Sequence, residues 1–299
     1  MWRRHHGHVP VGVIDVGSNT VRVKVADDGQ EVVSVREMLR LGAEVEEYGL
    51  ISAAKLAETA EVVHRYSDLA RAEGATELEV LITSPGRQAA NGQELLETLA
   101  LSGNCRARIL TSVEEGLLAF HGALSVACPP GRRLVAVVDV GGGSAQVVVG
   151  SRHDGPVWVR SIDIGSQRLT SRLLQGDPPG ADAIAEARAE VGRYLGDDFD
   201  PPTPRTTFAV GGSARALRRL AGGRLGLTEL AEVTELLATT PSRRLIEKHG
   251  ADPERVRTMA AGAVILSAIQ QRLGPPLKIV RAGLREGALL ELAARRAVA

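Results

Sequence analysis

Aromatic residues are scarce in this chain: Phe, Tyr and Trp together number eight in 299 positions. The core must therefore be aliphatic, and basic and aromatic side chains do not interleave as they do on a nucleic-acid stacking platform. Cysteine is scarcer still. Cys105 and Cys128 form no metal-ligand spacing and are too few for a disulfide scaffold, so a reduced, cytoplasmic setting is expected. No apolar run nears the roughly 18–20 residues of a membrane span, the best being 260–269. Residues 1–10 are basic but lack a hydrophobic segment, so no signal peptide is expected there. Net charge is absent too, with 36 basic and 36 acidic residues, and only four of the basic ones are lysine.

The charge that is present is uneven. Residues 1–120 carry 12 basic and 18 acidic side chains, whereas 121–299 carry 24 and 18. An Arg-rich second half suits anionic ligands, because guanidinium forks match phosphate oxygens. Genomic base composition explains the preference for Arg over Lys equally well, and no nucleic-acid motif accompanies it. At 299 residues, about two domains are expected.

Periodicity predicts strands at 11–16, 21–26 and 31–38, then a long amphipathic helix from Ser52 to about Glu73, with Ser52 as N-cap and Gly74 as stop. A strand at 78–83, a helix at 93–101, a strand at 106–110 and a helix from about Val113 complete the first half. The second half opens the same way, with strands at 134–139, 145–150 and 157–162 and helices near 165–175 and 180–195. A strand at 206–210, a mostly helical stretch to about Leu273, a strand at 277–281 and a last helix at 285–297 follow.

The informative feature is an internal echo. The decapeptide at 11–20, VGVIDVGSNT, matches VAVVDVGGGS at 135–144. Each copy is a hydrophobic strand, an Asp at its end (Asp15 or Asp139), a Gly-rich turn with a hydroxyl residue, and another strand. Glycines let the backbone approach a phosphate, and turn N–H groups can bond its oxygens. No Gly-Lys-Ser/Thr follows, so neither is a Walker A loop. One copy alone would read as an ordinary polar hairpin; two copies 124 residues apart indicate duplicated lobes.

With these hairpins, the sequence resembles the exopolyphosphatase / guanosine pentaphosphate phosphatase (Ppx/GppA) family, within the wider class of actin, sugar kinases and chaperone ATPases. Further segments are similar to that family's: the loop from Thr83 to Asn91 with Arg87, the helix start Ser112-Val-Glu114-Glu115-Gly116, and the stretch from Ser161 to Leu169. So are Ala209-Val-Gly211-Gly212-Ser213 and Leu284-Arg285-Glu286-Gly287. The resemblance implies an α/β protein of two actin-like, ribonuclease H-like lobes, one at 9–122 with the helix 284–299 and one at 123–283, with the site in the cleft between them. It implies release of terminal phosphate from inorganic polyphosphate, preferably short, or from guanosine pentaphosphate, by Mg²⁺-assisted attack of water.

On the same basis Glu115, Asp139 and Asp15 are the expected catalytic residues, with Glu115 as general base. Asp15, Asp139 and Gln146 are the expected metal ligands. Gly17, Ser18, Asn19, Thr20, Arg87, Gly141, Gly142, Gly143, Ser144, Gly211, Gly212 and Ser213 are expected to hold phosphate. A homodimer is expected, with neither nucleic acid nor membrane as partner. Competing local readings stand beside these. Ser112-x-x-Glu115 spells a capping box, so Glu115 could simply cap its helix. Glu114, Asp163 and His153-Asp154 read as surface or strand residues, and His5, His6 and His8 as a frayed terminus.

Three departures from the family pattern matter. Gln146 stands where the family usually has Glu, removing a negative charge. Arg257 stands where an Asp would be. Only the two lobes are expected, without the additional C-terminal domains of longer members, which by analogy suggests short substrates. A non-enzymatic polyphosphate or nucleotide sensor is therefore the alternative reading, and an ATP-using kinase or ATPase a further one.

Overall fold

The computed structural model describes residues 9–296 and divides the chain into two compact units. One comprises the residues up to Leu118 together with those from Arg285 onward; the other runs from Ala119 to Leu284. In the first, β1 (Val11–Val16), β2 (Thr20–Asp27) and β3 (Gln30–Met38) form an antiparallel meander. Helices α1 (Leu41–Tyr48) and α2 (Ala53–Ala72) follow, then β4 (Glu77–Ile82), α3 (Ser84–Gln88), α4 (Gly92–Gly103), β5 (Arg106–Ile109) and α5 (Ser112–Ala127). β4 and β5 add in parallel, giving a five-stranded sheet of order β3-β2-β1-β4-β5.

The alternation of the sequence explains the layers. On β2, Val21, Val23 and Val25 are fully buried, and the polar residues between them are not. The buried valines meet α2, whose Leu56, Val62, Val63, Tyr66 and Ala70 recur at helical spacing. Each such Val or Leu, once fully buried, contributes about 1.5–3 kcal/mol. Ser52 caps α2, its hydroxyl accepting from the Lys55 N–H, and Gly74 leaves the helix at a φ of 85°. The sequence does not announce α1 and α3. α1 is one short helix past a left-handed Arg40, and α3 is five residues beginning Ser-Pro-Gly, which reads as loop.

The second unit repeats the plan. Its strands are β6 (Val135–Val140), β7 (Ala145–Ser151), β8 (Gly155–Ile162), β9 (Thr206–Val210) and β10 (Leu277–Ile279), in the order β8-β7-β6-β9-β10 with the same parallel and antiparallel pairings. Its helices are α6 (Ser166–Leu173), α7 (Ala181–Leu195), α8 (Gly211–Leu220), α9 (Leu227–Thr239), α10 (Ser242–His249) and α11 (Val256–Leu273). α11 is the centre of the core: Met259 to Leu266 are all buried, as are Ile269 and Leu273. A helix apolar all round must lie inside its unit.

The last helix, α12 (Leu284–Arg296), belongs to the first unit from Arg285 on. Ion pairs fasten it there: Arg285 to Asp15 on β1 at 2.8 Å, Glu286 to Lys24 on β2 at 2.7 Å, and Glu291 to Arg108 on β5 at 3.6 Å. Gly287 permits the close fit, since a Cβ there would lie 2.0 Å from the Leu118 carbonyl oxygen. Gly287→Ala is therefore expected to destabilise the protein by about 1–3 kcal/mol in urea unfolding, the usual cost of overpacking. Unchanged stability would show that α12 can shift freely.

Candidate functional site

The two duplicated hairpins build equivalent turns, one in each unit. In the first, the Gly17 N–H donates to the Thr20 carbonyl at 3.0 Å; in the second, Gly141 N–H donates to Ser144 at 3.0 Å. Strand register places Arg22 opposite Asp15 and Gln146 opposite Asp139. The charge-bearing position of each hairpin is thus the same, filled by a cation in one copy and an amide in the other.

In the first unit the turn is braced from behind. Buried Ser18 hydrogen-bonds Ser84 through the two hydroxyls at 2.6 Å, and its carbonyl accepts from Gly42 N–H at 2.7 Å. The Asn19 carbonyl accepts from both Leu39 and Arg40 N–H groups at 3.0 Å. Asn19 Oδ1 is buried without a hydrogen-bond partner among the described residues. Asp15 faces Arg285, whose guanidinium donates to Oδ2 at 2.8 Å. The sequence alone does not point to that arginine as the partner, since 270 positions separate the pair.

Arg87, on α3, reaches across to the start of α5. Its Nη1 donates to the Leu110 carbonyl at 2.7 Å and its Nη2 to Glu115 Oε2 at 2.5 Å. Both partners are largely buried, with 20% and 9% of their side chains exposed. A buried carboxylate needs such a partner. The neighbouring Asn91 acts elsewhere. Its side chain bridges the Ile51 N–H and carbonyl at 2.9 Å each, stapling a loop.

The capping box expected at Ser112-x-x-Glu115 forms one residue earlier. Glu114 Oε2 accepts from both the Thr111 N–H and hydroxyl at 2.7 Å, and Glu114 N–H donates to Thr111 Oγ1 at 3.2 Å. Glu114 is thus the helix cap and Glu115 is released for Arg87. Burial pushes the Glu114 carboxyl up, but the Thr111 bonds and the Arg108 charge outweigh it and hold it below the usual carboxylate range.

In the second unit the β6–β7 turn carries the start of α6. The Gly141 carbonyl accepts from Ser166 N–H at 2.9 Å, and Gly142 from Gln167 and Arg168 N–H groups at 2.9 and 3.1 Å. Asp163 pairs with buried Arg168 at 2.8 Å. Gln146 is buried, donating to Ser144 Oγ at 2.9 Å and more weakly to Ser161 Oγ at 3.4 Å. Gly211, at a φ of +82°, opens α8 beside Asp139: a Cβ there would meet Asp139 Oδ1 at 2.4 Å. Ser213 hydroxyl donates to the Val140 carbonyl at 3.0 Å. The Gly211–Ser213 turn and Asp139 therefore share one place.

Arg255 joins them. Its guanidinium lies within 2.2–2.6 Å of where a Gly212 Cβ would stand, so a side chain at 212 would push the end of that arginine aside. The family pattern draws attention instead to Arg257, two residues on. Arg257 turns to another loop, donating to the Gln175 carbonyl at 2.6 Å and pairing with Asp177 at 3.2 Å. The reversed charge at position 257 is thus met by that loop. His153 and Asp154 pair with one another near the β7–β8 turn. His5, His6 and His8 lie outside the described residues.

Among the described residues no three His, Cys, Asp or Glu side chains gather as a metal cage, and no helix is long and apolar enough to cross a membrane. Glycine turns, helix starts and guanidinium groups are the kinds of donor that suit oxyanions. The fold defines an α/β protein of two like units, each with a glycine turn at the end of its first strand. The Ppx/GppA phosphatase family model matches residues 21–296, and the chain belongs to that family.

Individual relatives agree. The chain is 26% identical to exopolyphosphatase 1 of Mycobacterium leprae, over 94% of this chain and 88% of that one. It is also 26% identical to the guanosine-5'-triphosphate,3'-diphosphate pyrophosphatase of Aeromonas hydrophila, over 96% of this chain and 60% of that one. Among solved structures, an exopolyphosphatase-like protein superposes with a TM-score of 0.88 at 25% identity, covering 96% of this chain and 100% of its own. A Ppx/GppA family member from Aquifex aeolicus superposes with a TM-score of 0.81 at 23% identity, covering 97% and 99%.

The depressed Glu114 carboxyl has a pH signature. Its contribution to stability is present above the unfolded carboxylate pKa and is lost as pH falls through the lower folded value. Glu114→Gln should therefore flatten the acid limb of a melting-temperature profile below about pH 4.5. Superimposable acid limbs would show that the capping carboxylate carries no such linkage.

Proposed function

We propose that this phosphoanhydride hydrolase releases terminal phosphate from inorganic polyphosphate, with short chains preferred, and from guanosine pentaphosphate. The observation that carries the reading is Glu115: a largely buried carboxylate, relieved of helix capping by Glu114 and held by Arg87. A guanidinium beside a carboxylate can shift its bonds to phosphate oxygens when substrate arrives. The carboxylate so freed is a base for water: it takes a proton as the water oxygen bonds to the terminal phosphorus, and the departing phosphate chain keeps the electrons of the broken P–O bond.

The remaining residues bind and orient. The Gly17–Thr20 and Gly141–Ser144 turns offer N–H and hydroxyl donors, as does the start of α8 at Gly211–Ser213. Arg255, above Gly212, adds a charged donor to that turn. Magnesium suits this chain when it arrives with the phosphates, because Mg²⁺ keeps several waters and takes only one or two carboxylates from a protein. Asp139 would be its carboxylate ligand and Gln146 a neutral oxygen donor, while the Arg285 pair leaves Asp15 a less available ligand. Bound there, Mg²⁺ would neutralise charge developing on the phosphate oxygens.

Gln146 favours a second reading, a sensor that binds phosphate chains and turns over weakly, since its buried amide supplies no negative charge. Phosphate release with Mg²⁺ on tripolyphosphate and on guanosine pentaphosphate decides between them. Glu115→Gln is expected to slow release by about 10²–10⁴-fold with little change in KM. Tight binding with no release by the unaltered protein would establish the sensor.

A further inference from the structure

The start of α5 contains two overlapping capping boxes, Thr111-x-x-Glu114 and Ser112-x-x-Glu115. Each has a hydroxyl residue and a glutamate at the same spacing, so local chemistry hardly distinguishes them. Adjacent helical residues point about 100° apart, so only one glutamate can turn back to the cap at a time. If Glu114 caps, Glu115 is available to Arg87. If Glu115 caps, Arg87 loses its carboxylate. The structure holds the first frame, and something other than the boxes must select it.

Arg108 on β5 is the group in position to do so. Its Nη1 donates to Glu114 Oε1 at 3.0 Å, the oxygen that Thr111 leaves unused. Its Nε donates to Glu79 Oε1 at 3.2 Å on the neighbouring strand β4, where Glu79 is 3% exposed. A guanidinium fixed at one end by a buried carboxylate presents its other end in one place. Nη2 forms no hydrogen bond among the described residues, and Glu291 of α12 lies 3.6 Å from it as an ion pair.

We propose that Arg108 is a positioning residue: anchored by Glu79, it holds Glu114 in the Thr111 capping frame and thereby keeps Glu115 turned to Arg87, in place for the reaction. This rests on the reading of Glu115 as the base.

The test pairs Arg108→Gln and Glu114→Ala, each alone and with Ser112→Ala, in tripolyphosphate hydrolysis with Mg²⁺ and in thermal melting. Glu79 keeps Arg106 and Arg295 when Arg108 is replaced, at 3.3 and 3.6 Å, and Glu114 lies at the surface, so both proteins should fold. Each single variant should lose about tenfold in kcat at nearly unchanged KM, the scale of a lost cap. Ser112→Ala should be silent in the parent protein. In either variant background it should remove the competing frame, restoring kcat to within about threefold of the parent while lowering the melting temperature. That opposite movement of rate and stability is not expected of a merely structural contact.

Unchanged kcat in both single variants, or double variants as slow as the singles, would overturn the proposal. So would a Ser112→Ala melting shift equal in all backgrounds, a readout that needs no activity. If Glu115→Gln retains the full rate, the assignment of the base fails instead, whatever the melting data show.

Discussion

The first unit depends on the need of a buried carboxylate for a partner. Glu115 is 7% exposed, and an isolated charge at that depth would be expelled or neutralised. Arg87 meets the requirement, but only because α3 presents it there and because Glu114 has taken over the helix cap. The same rule recurs outward. Glu79 is buried among Arg106, Arg108 and Arg295, Asp15 faces Arg285, and Lys24 lies between Glu31 and Glu286. Charge pairs join the C-terminal helix to the sheet, beside its buried Ala288, Leu289 and Leu292. Such pairs are weak evidence for stability, because desolvation offsets much of their attraction, but they fix register.

Duplication explains both the likeness and the difference of the two units. Each uses the same strand order and the same turn bond, at Gly17 and at Gly141. Divergence is concentrated at the hairpins and the helix starts beside them. Opposite the strand-end aspartate stands Arg22 in one copy and Gln146 in the other. The first unit has added a carboxylate and its guanidinium from α5 and α3; the second has added a glycine helix start with Arg255 above it. One hairpin scaffold thus carries two different elaborations.

Much of this was legible in the sequence. Alternation on β2, the helical spacing of α2 and the Ser52 cap all act through neighbours a few residues apart, so a linear reading finds them. The hairpin echo and the family segments pointed to the class of protein. What escaped depends on distance along the chain. Arg285 meets Asp15 across 270 positions, and Arg255 meets Gly212 only after the second unit has folded. Arg257 looked like a charge reversal at the site because its loop partners, Gln175 and Asp177, lie about 80 positions away. The displaced capping box was hidden for a different reason: two boxes of equal local merit overlap, and a tertiary contact selects between them.

The central claim is that this protein activates water against the terminal phosphorus of a phosphate chain. Hydrolysis of tripolyphosphate in ¹⁸O-labelled water, followed by mass analysis of both products, tests it most directly. The account predicts one ¹⁸O in the released orthophosphate and none in the shortened chain. Label retained in the chain, or release that needs an acceptor other than water, would contradict it.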